Sequence, residues 1–440
     1  MGIEPGNATT PDEAKRRDLL ALFREAVRAV SPEAAMPRDL PLSPHGRTAV
    51  VAVGKAAGEM MRVARERVGG RPIEGLVVTR RGHLPPGGAD WPGVEVIEAG
   101  HPYPDENSVR AARRALEVAR SLDAGDRLLV LLSGGGSALL AAPAPGLTLA
   151  DKQAVTRALL RSGATIEEIN RVRKHLSAVK GGRLAVAAGS AAVTTLIISD
   201  VPGDDPSFVA SGPTVADASS LEEARGTLAR YGIEPSPPVA AALADPANET
   251  PAADSLGLAG CETLVVARAR DALAASGAAA RRMGYQVTDL GDQLQAEARH
   301  LGASHAALSR RLARGGGGAR AILSGGECTV TVVNPAGRGG RNLEYLLGLA
   351  IALDGEPGVW AIACDTDGVD GTEDAAGATI GPDTLERAAA LGLDPARLLR
   401  ENDAFLFFEA LGDLVTTGPT LTNVNDFRAI LIDAGEGGSA

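Results

Sequence analysis

The chain has 440 residues, 45% of them apolar, which is enough for the cores of two or three domains and too much for a disordered chain. A formal net charge of −11 and an aromatic content of 3% provide neither a basic footprint for nucleic acid or anionic lipid nor stacking platforms for single strands. Cys261, Cys328 and Cys364 form no CxxC pair and read as reduced thiols of a cytoplasmic protein. No apolar h-region follows Met1, and no run approaches the roughly 18 apolar residues of a spanning helix, so neither a secretory signal nor a membrane anchor is expected.

Residues 13–30 have amphipathic helical spacing and are expected to lie over the first domain. Thr48–Val53, Gly75–Thr79, Val94–Glu98, Arg127–Leu132 and Val193–Ser199 read as short strands, with helical stretches at 56–68 and 105–122. Thr148 with Asp151 and Thr165 with Glu168 are capping signatures that open two more helices. Continuous apolar strands alternating with helices predict a parallel sheet covered on both faces. The proline-rich segment 233–260 reads as a linker or excursion. Beyond it, strands are expected at Glu262–Ala267, Gln286–Leu290, Arg320–Ser324, Thr329–Val333 and Val359–Ala363, and helices at 271–283, at 293–314 and from Asn342.

Several polar loops follow these strands. Ser133, Gly134, Gly135, Gly136 and Ser137 form a glycine-rich turn after a buried strand, where backbone N–H groups can cradle a phosphate or carboxylate. It is not a dinucleotide fingerprint, because Leu139 stands where a glycine is needed; nor is Gly54-Lys55 a P-loop, because Ala49 and Ala56 occupy its required positions. Lys55 at a strand-to-helix junction faces an unfavourable helix dipole unless it meets an anion. Lys180-Gly181-Gly182-Arg183 reads as a helix end, with glycine capping and a dipole-matched lysine. Asp200 and Asp204, in a turn after a strand, are placed to hold Mg²⁺. Gly325, Gly326 and Glu327 follow another strand, Arg341 leads a helix, and Asp365, Asp367 and Asn425 lie in two further loops. Such loops across two domains suggest a cleft. His101 reads as a structural turn histidine. No zinc spacing and no GxSxG elbow are present.

VAVGKAAGEMM, GHPYPDENS, LLSGGGSALL, VRKHLSAVKGGRLA and ISDVPGDDPSFVASGPT resemble the N-terminal domain of type 2 glycerate kinases. SGGECTVTV, GRGGRNLEYLLGLA, DTDGVDGTEDAAGA, NDAFLFFEALGDLVTTGPT and TNVNDF resemble their C-terminal MOFRL domain. Members are often labelled hydroxypyruvate reductases. The resemblance covers roughly residues 15 to 435. It implies an α/β fold of two domains: a Rossmann-like doubly wound sheet at 1–240, a linker at 241–260 and a smaller MOFRL domain at 261–440, with the active site between them.

The activity implied is ATP-dependent phosphorylation of D-glycerate to 2-phosphoglycerate, with Mg²⁺, in a monomer or homodimer. The family's catalytic lysine and arginine map onto Lys55 and Arg341. On this reading Ser133–Ser137 cradle ATP phosphates, with Lys180, Gly325 and Gly326 as further phosphate contacts. Asp200 and Asp204 hold the metal, and Glu327, Asp365, Asp367 and Asn425 serve substrate or metal. Asp200 and Asp367 are the candidate bases. Leu343, Cys364 and Leu421 depart from common family residues without removing one of these. The competing readings are an NAD(P)H-dependent hydroxypyruvate reductase, which the missing dinucleotide fingerprint disfavours, and a non-catalytic glycerate or nucleotide sensor.

Overall fold

Short runs of Val, Leu, Ile and Ala form strands buried on both faces, as a parallel sheet sandwiched by helices requires. In the computed structural model, which describes residues 11–371 and 373–434, the first sheet is built from β1 (Thr48–Val53), β2 (Glu74–Arg80), β3 (Val94–Ala99), β4 (Arg127–Leu132), β5 (Ala192–Ile198) and β6 (Glu262–Ala267). All its pairings are parallel, in the order β3-β2-β1-β4-β5-β6. The chain therefore winds outward one way from β1 and the other way from β4. Val53 and Leu132, the last residues of these two central strands, are register partners. A doubly wound sheet opens its ligand crevice at such a reversal, beyond the carboxyl ends of the strands. Both Gly54-Lys55 and Ser133–Ser137 leave the sheet there.

The capping boxes at Thr148 and Thr165 are present as expected. The segment at 233–260 is not a linker. Pro237–Ala244 is a helix, and its Val239, Ala242 and Leu243 pack with Leu159, Val172 and Leu228 in a satellite core. β6 then adds to β5. The first compact unit therefore spans residues 32–268 and takes back 421–423, instead of stopping at 240. Proline marked a turn and a helix start here, since proline is tolerated in a helix's first turn.

The second unit holds a mixed sheet of β7 (Gln286–Asp289), β8 (Arg320–Gly326), β9 (Val359–Asp365), β10 (Gly377–Ile380), β11 (Leu414–Val415) and β12 (Asp426–Ile432), in the order β11-β10-β9-β12-β8-β7. β12 runs antiparallel between β9 and β8 and is fully buried. Helix Pro11–Ala29 belongs to this unit and not to the first domain: Phe23 meets Phe427 of β12 at 5.9 Å between ring centroids, and Trp360 Nε1 donates to Asp12. Thr329–Val333 is not a strand. Thr329 makes one isolated bridge to Glu297, and Val332 and Val333 are exposed. The helix expected at 293–314 begins at Ala298.

Leu243 is 1% exposed within the satellite core. Leu243→Ala is expected to cost about 2–4 kcal/mol in urea unfolding, as for a packed core leucine. A linker residue would lose less than about 0.5 kcal/mol.

Candidate active site

At the end of β4 the ladder continues for one residue, with Ser133 N–H donating to Val53 O at 2.9 Å. The chain then turns sharply. Lys55 N–H donates to Gly134 O at 2.9 Å, and Ala56 N–H donates to Ser133 Oγ at 2.9 Å. The two loops are thus stitched together, and Ser133 satisfies an otherwise orphaned donor at the start of helix Ala57–Arg67. Glycine at 134 leaves room for two side chains: a Cβ there would lie 2.0 Å from Asp200 Oδ2 and 2.1 Å from Asn423 Nδ2 and would push them away. These two side chains close over the turn and are joined by a 3.1 Å hydrogen bond from Asn423 to Asp200. A Cβ on Gly135 would sit 3.0 Å from His101 Cδ2 and 3.5 Å from Lys55 Cγ, so the loop is flanked by both residues. The N–H groups of Gly134, Gly135, Gly136 and Ser137 donate to no acceptor among the described residues. Four consecutive unused donors in a mostly buried turn form a concavity suited to an anion.

Lys180 lies beneath this loop. It does not cap a helix, because helix Ile166–His175 ends five residues earlier and Gly182 instead precedes helix Arg183–Ala187. Lys180 is 1% exposed, and its Nζ donates to Ser137 O at 2.9 Å and Ala210 O at 3.3 Å. Its amine is therefore engaged with backbone carbonyls. Ser137 Oγ and Ser211 Oγ share a 2.6 Å hydrogen bond. Asp204 is drawn away from Asp200's role: its Oδ2 lies 3.5 Å from Arg268 Nε. Among the described residues no three His, Cys, Asp or Glu side chains converge as a metal cage. Asp200, against the anion-ready turn, fits the one or two carboxylates that Mg²⁺ takes beside phosphate oxygens; Asp204, ion-paired to arginine, does not.

In the second unit the antiparallel insertion of β12 brings its first residue level with the ends of its neighbours, with Asp426 opposite both Asp365 and Gly326. Arg341, at the first turn of helix Arg341–Leu353, meets this row. Its Nε donates to Asp426 at 2.6 Å, its Nη2 to Asp365 at 2.8 Å and its Nη1 to Glu327 at 2.9 Å. Asp426 also receives Arg428 Nη2 at 2.5 Å, while Arg428 lies over the Tyr345 ring. Burial alone would push the Asp426 carboxyl up, but Arg341 and Arg428 outweigh it and hold it below the ordinary range. Burial likewise opposes the Arg341 charge, and Asp426, Asp365 and Glu327 overcome it. Asp370 accepts the N–H groups of Asn342 and Leu343, capping the helix that carries Arg341. Its carboxyl is raised to about 6, chiefly by burial, against the pull of those two N–H groups.

Gly325 and Gly326 are not loop residues. They belong to β8, Gly325 N–H donates to Gly291 O, and a Cβ on Gly326 would lie 2.4 Å from the Leu294 backbone. These glycines admit the close passage of the 292–294 segment and offer no open cradle. Asp367 is buried and accepts Val369 N–H at 2.8 Å, and Asn425 O accepts from Thr366. The residues that the sequence reading left out of the site are His101, Asn423, Asp370, Asp426 and Arg428. Asn423 and Asp426 lay within the quoted TNVNDF motif and Asp370 within DTDGVDG, but nothing local marks Arg428, whose role depends on strand insertion.

These features define a class: an α/β protein with an anion-ready turn at the switch point of a doubly wound sheet, and a second unit organised on a carboxylate-ringed arginine. Residues 18–244 match the family described as Domain of unknown function (DUF4147), and residues 320–426 match the MOFRL family. The chain is 49% identical to an Agrobacterium vitis protein named "Putative hydroxypyruvate reductase", over 96% of each chain. It is 40% identical to the D-glycerate 2-kinase of Thermotoga maritima, over 96% of this chain and 99% of that one. A crystal structure of glycerate kinase from Thermotoga maritima superposes with a TM-score of 0.85 at 39% identity, covering 96% of this chain and all of that one. The chain belongs to the DUF4147–MOFRL family that contains these glycerate kinases.

Two predictions follow from the ion cluster. Arg341→Met leaves buried carboxylates unmatched and is expected to cost about 3–5 kcal/mol in chemical denaturation. Asp370 is raised in the fold from an ordinary 3.8 to about 6, so its contribution to stability is full below pH 4 and is lost as pH rises through about 6. The stability difference between wild type and Asp370→Asn, followed by urea unfolding, should fall by about 2–3 kcal/mol between pH 4 and 7; a flat difference refutes this assignment.

Proposed function

We propose that this protein transfers the γ-phosphoryl group of ATP to the 2-hydroxyl of D-glycerate, giving 2-phosphoglycerate and ADP. The observation that carries the reading is the turn at Gly134–Ser137, with four unused N–H donors beside Lys55 at the sheet's switch point. Such a turn suits the phosphate oxygens of a nucleotide. The glycerate kinases among the relatives supply the substrate class.

Phosphoryl transfer asks an enzyme to align the attacking hydroxyl and to neutralise charge on the phosphoryl oxygens. In this reading the loop amides orient the phosphates and Lys55 balances their charge. Asp200 would hold Mg²⁺, which when bound offsets phosphate charge. Arg341 is the proposed partner of the glycerate carboxylate. Among its three acidic contacts Glu327 is the half-exposed one, so a substrate carboxylate can take its place on Nη1. A reductase reading has no such support in the loop: Leu139 occupies the position at which a dinucleotide fingerprint requires glycine. We propose a cytoplasmic setting, in keeping with the three free cysteines.

The test pairs two assays on purified protein: ADP release from ATP, Mg²⁺ and D-glycerate, and NADH or NADPH oxidation with hydroxypyruvate. Glycerate-dependent ADP without nicotinamide oxidation is expected, and phosphorus NMR should identify 2-phosphoglycerate. Nicotinamide oxidation without ADP would overturn the reading. Lys55→Ala should lower kcat by at least about 100-fold with unfolding unchanged, by analogy with losing a donor to developing charge. A loss below about tenfold removes Lys55 from that role.

A further inference from the structure

The amine of Lys180 joins two segments that are far apart in sequence. One is the Gly134–Ser137 turn; the other is Val209–Ser211, where Ala210 and Ser211 adopt φ of 52° and 62°. A left-handed backbone at two successive residues other than glycine is strained, and it persists only where neighbours over-determine it. The neighbours here are identifiable. Gly181 N–H donates to Ser211 O, Gly182 N–H to Gly212 O and Leu184 N–H to Pro213 O, at 3.1, 2.8 and 3.0 Å. This run of bonds fixes the Lys180 backbone alongside the strained turn. From there the side chain reaches Ser137 O and Ala210 O. A Cβ on Gly136 would lie 2.7 Å from Ala210 Cβ, so the two turns already touch where the amine ties them.

We infer that Lys180 is a positioning residue: its buried amine locks the Gly134–Ser137 turn against the Val209–Ser211 turn and thereby holds the turn's N–H groups in the geometry that receives phosphate. The inference rests on the phosphate reading of that turn. Burial, then the charges of Arg173, Lys152 and Lys174, push the Lys180 amine well below the ordinary lysine range. The tether tolerates this, because two carbonyl acceptors need two N–H donors and a neutral amine still supplies them. Lysine is thereby distinguished from arginine, which would stay charged in this buried place.

Lys152 is the internal control. It too is buried, at 8% exposure, and its Nζ donates to Leu176 O at 2.8 Å, outside both turns. A purely structural role predicts the same consequences for losing either amine. Positioning predicts a split. Lys180→Met should raise both the KM for ATP and the MgATP Kd from calorimetry by about tenfold or more, with the KM for glycerate changed less than about twofold. Lys152→Met should lower Tm comparably and leave both ATP constants within about twofold. Hydrogen exchange over 133–140 should accelerate in Lys180→Met and not in Lys152→Met. Should Lys180→Met fail to fold, Lys180→Gln, with a shorter donor, carries the same comparison. Equal changes in the two variants, or unchanged ATP constants with unchanged exchange in folded Lys180→Met, overturn the inference. Wild type that neither binds MgATP nor forms ADP overturns the phosphate reading instead, and exchange over 133–140 then decides the tether by itself.

Discussion

Charge taken out of water has to be met by opposite charge or by hydrogen-bonding atoms, and both units are organised around that requirement. Asp426 is 2% exposed and Arg428 1%. Neither would be tolerated there alone. Arg341 and Arg428 flank the Asp426 carboxylate, and Asp365 and Glu327 then complete the ring around Arg341. In the first unit two buried lysines meet carbonyl oxygens instead: Lys180 meets those of Ser137 and Ala210, and Lys152 that of Leu176, while Lys174 pairs with Asp217. The two solutions have different consequences. The ion ring fixes the first turn of helix Arg341–Leu353 against the ends of three strands. The lysine–carbonyl contacts fix loops without using any N–H donor of the loop itself.

That difference matters for the glycine-rich turn. Most buried backbone N–H groups find an acceptor within the fold. At Gly134–Ser137 the helix that follows is only four residues long, and the strand that precedes it has ended, so no ladder takes up the donors. Glycine at 134 lets Asp200 and Asn423 approach closely. The outcome is a turn whose own side is polar and whose back is braced. Ser324-Gly325-Gly326 looks alike in sequence, yet its residues are strand members paired with β12, and Gly325 N–H is already used. Glycine there serves the close passage of Leu294.

The chemistry of the turn bears on the names carried by the relatives. A name referring to hydroxypyruvate reduction calls for a nicotinamide site, whereas the residues at the switch point lack the glycine that such a site requires. Kinases and reductases of three-carbon acids share a substrate skeleton, so a shared metabolite does not discriminate between them. Converging N–H groups receive the phosphates of ATP and of a nicotinamide dinucleotide alike, so what discriminates here is Leu139, which stands where a dinucleotide fingerprint needs glycine.

The sequence by itself determined the elements whose signals are local. Thr48–Val53 and Arg127–Leu132 are strands because the apolar runs after their first residues are buried, and Thr148 and Thr165 start helices because their hydroxyls meet an N–H three residues on. The family motifs also singled out Lys55, the 133–137 turn and Arg341 as candidates without any structure. Three further features were decided only by tertiary structure. Pro237–Ala244 became core because other helices supplied an apolar face for it. Lys180, which reads locally as a helix-capping lysine, became a buried tether because the 209–211 turn passes beneath the glycine loop. The Arg341 ring arose because β12, from the far end of the chain, inserts antiparallel between β9 and β8 and lays Asp426 beside Asp365. Periodicity and capping act over one or two turns of chain, whereas register between distant strands is set by packing the whole sheet, and no local pattern encodes it.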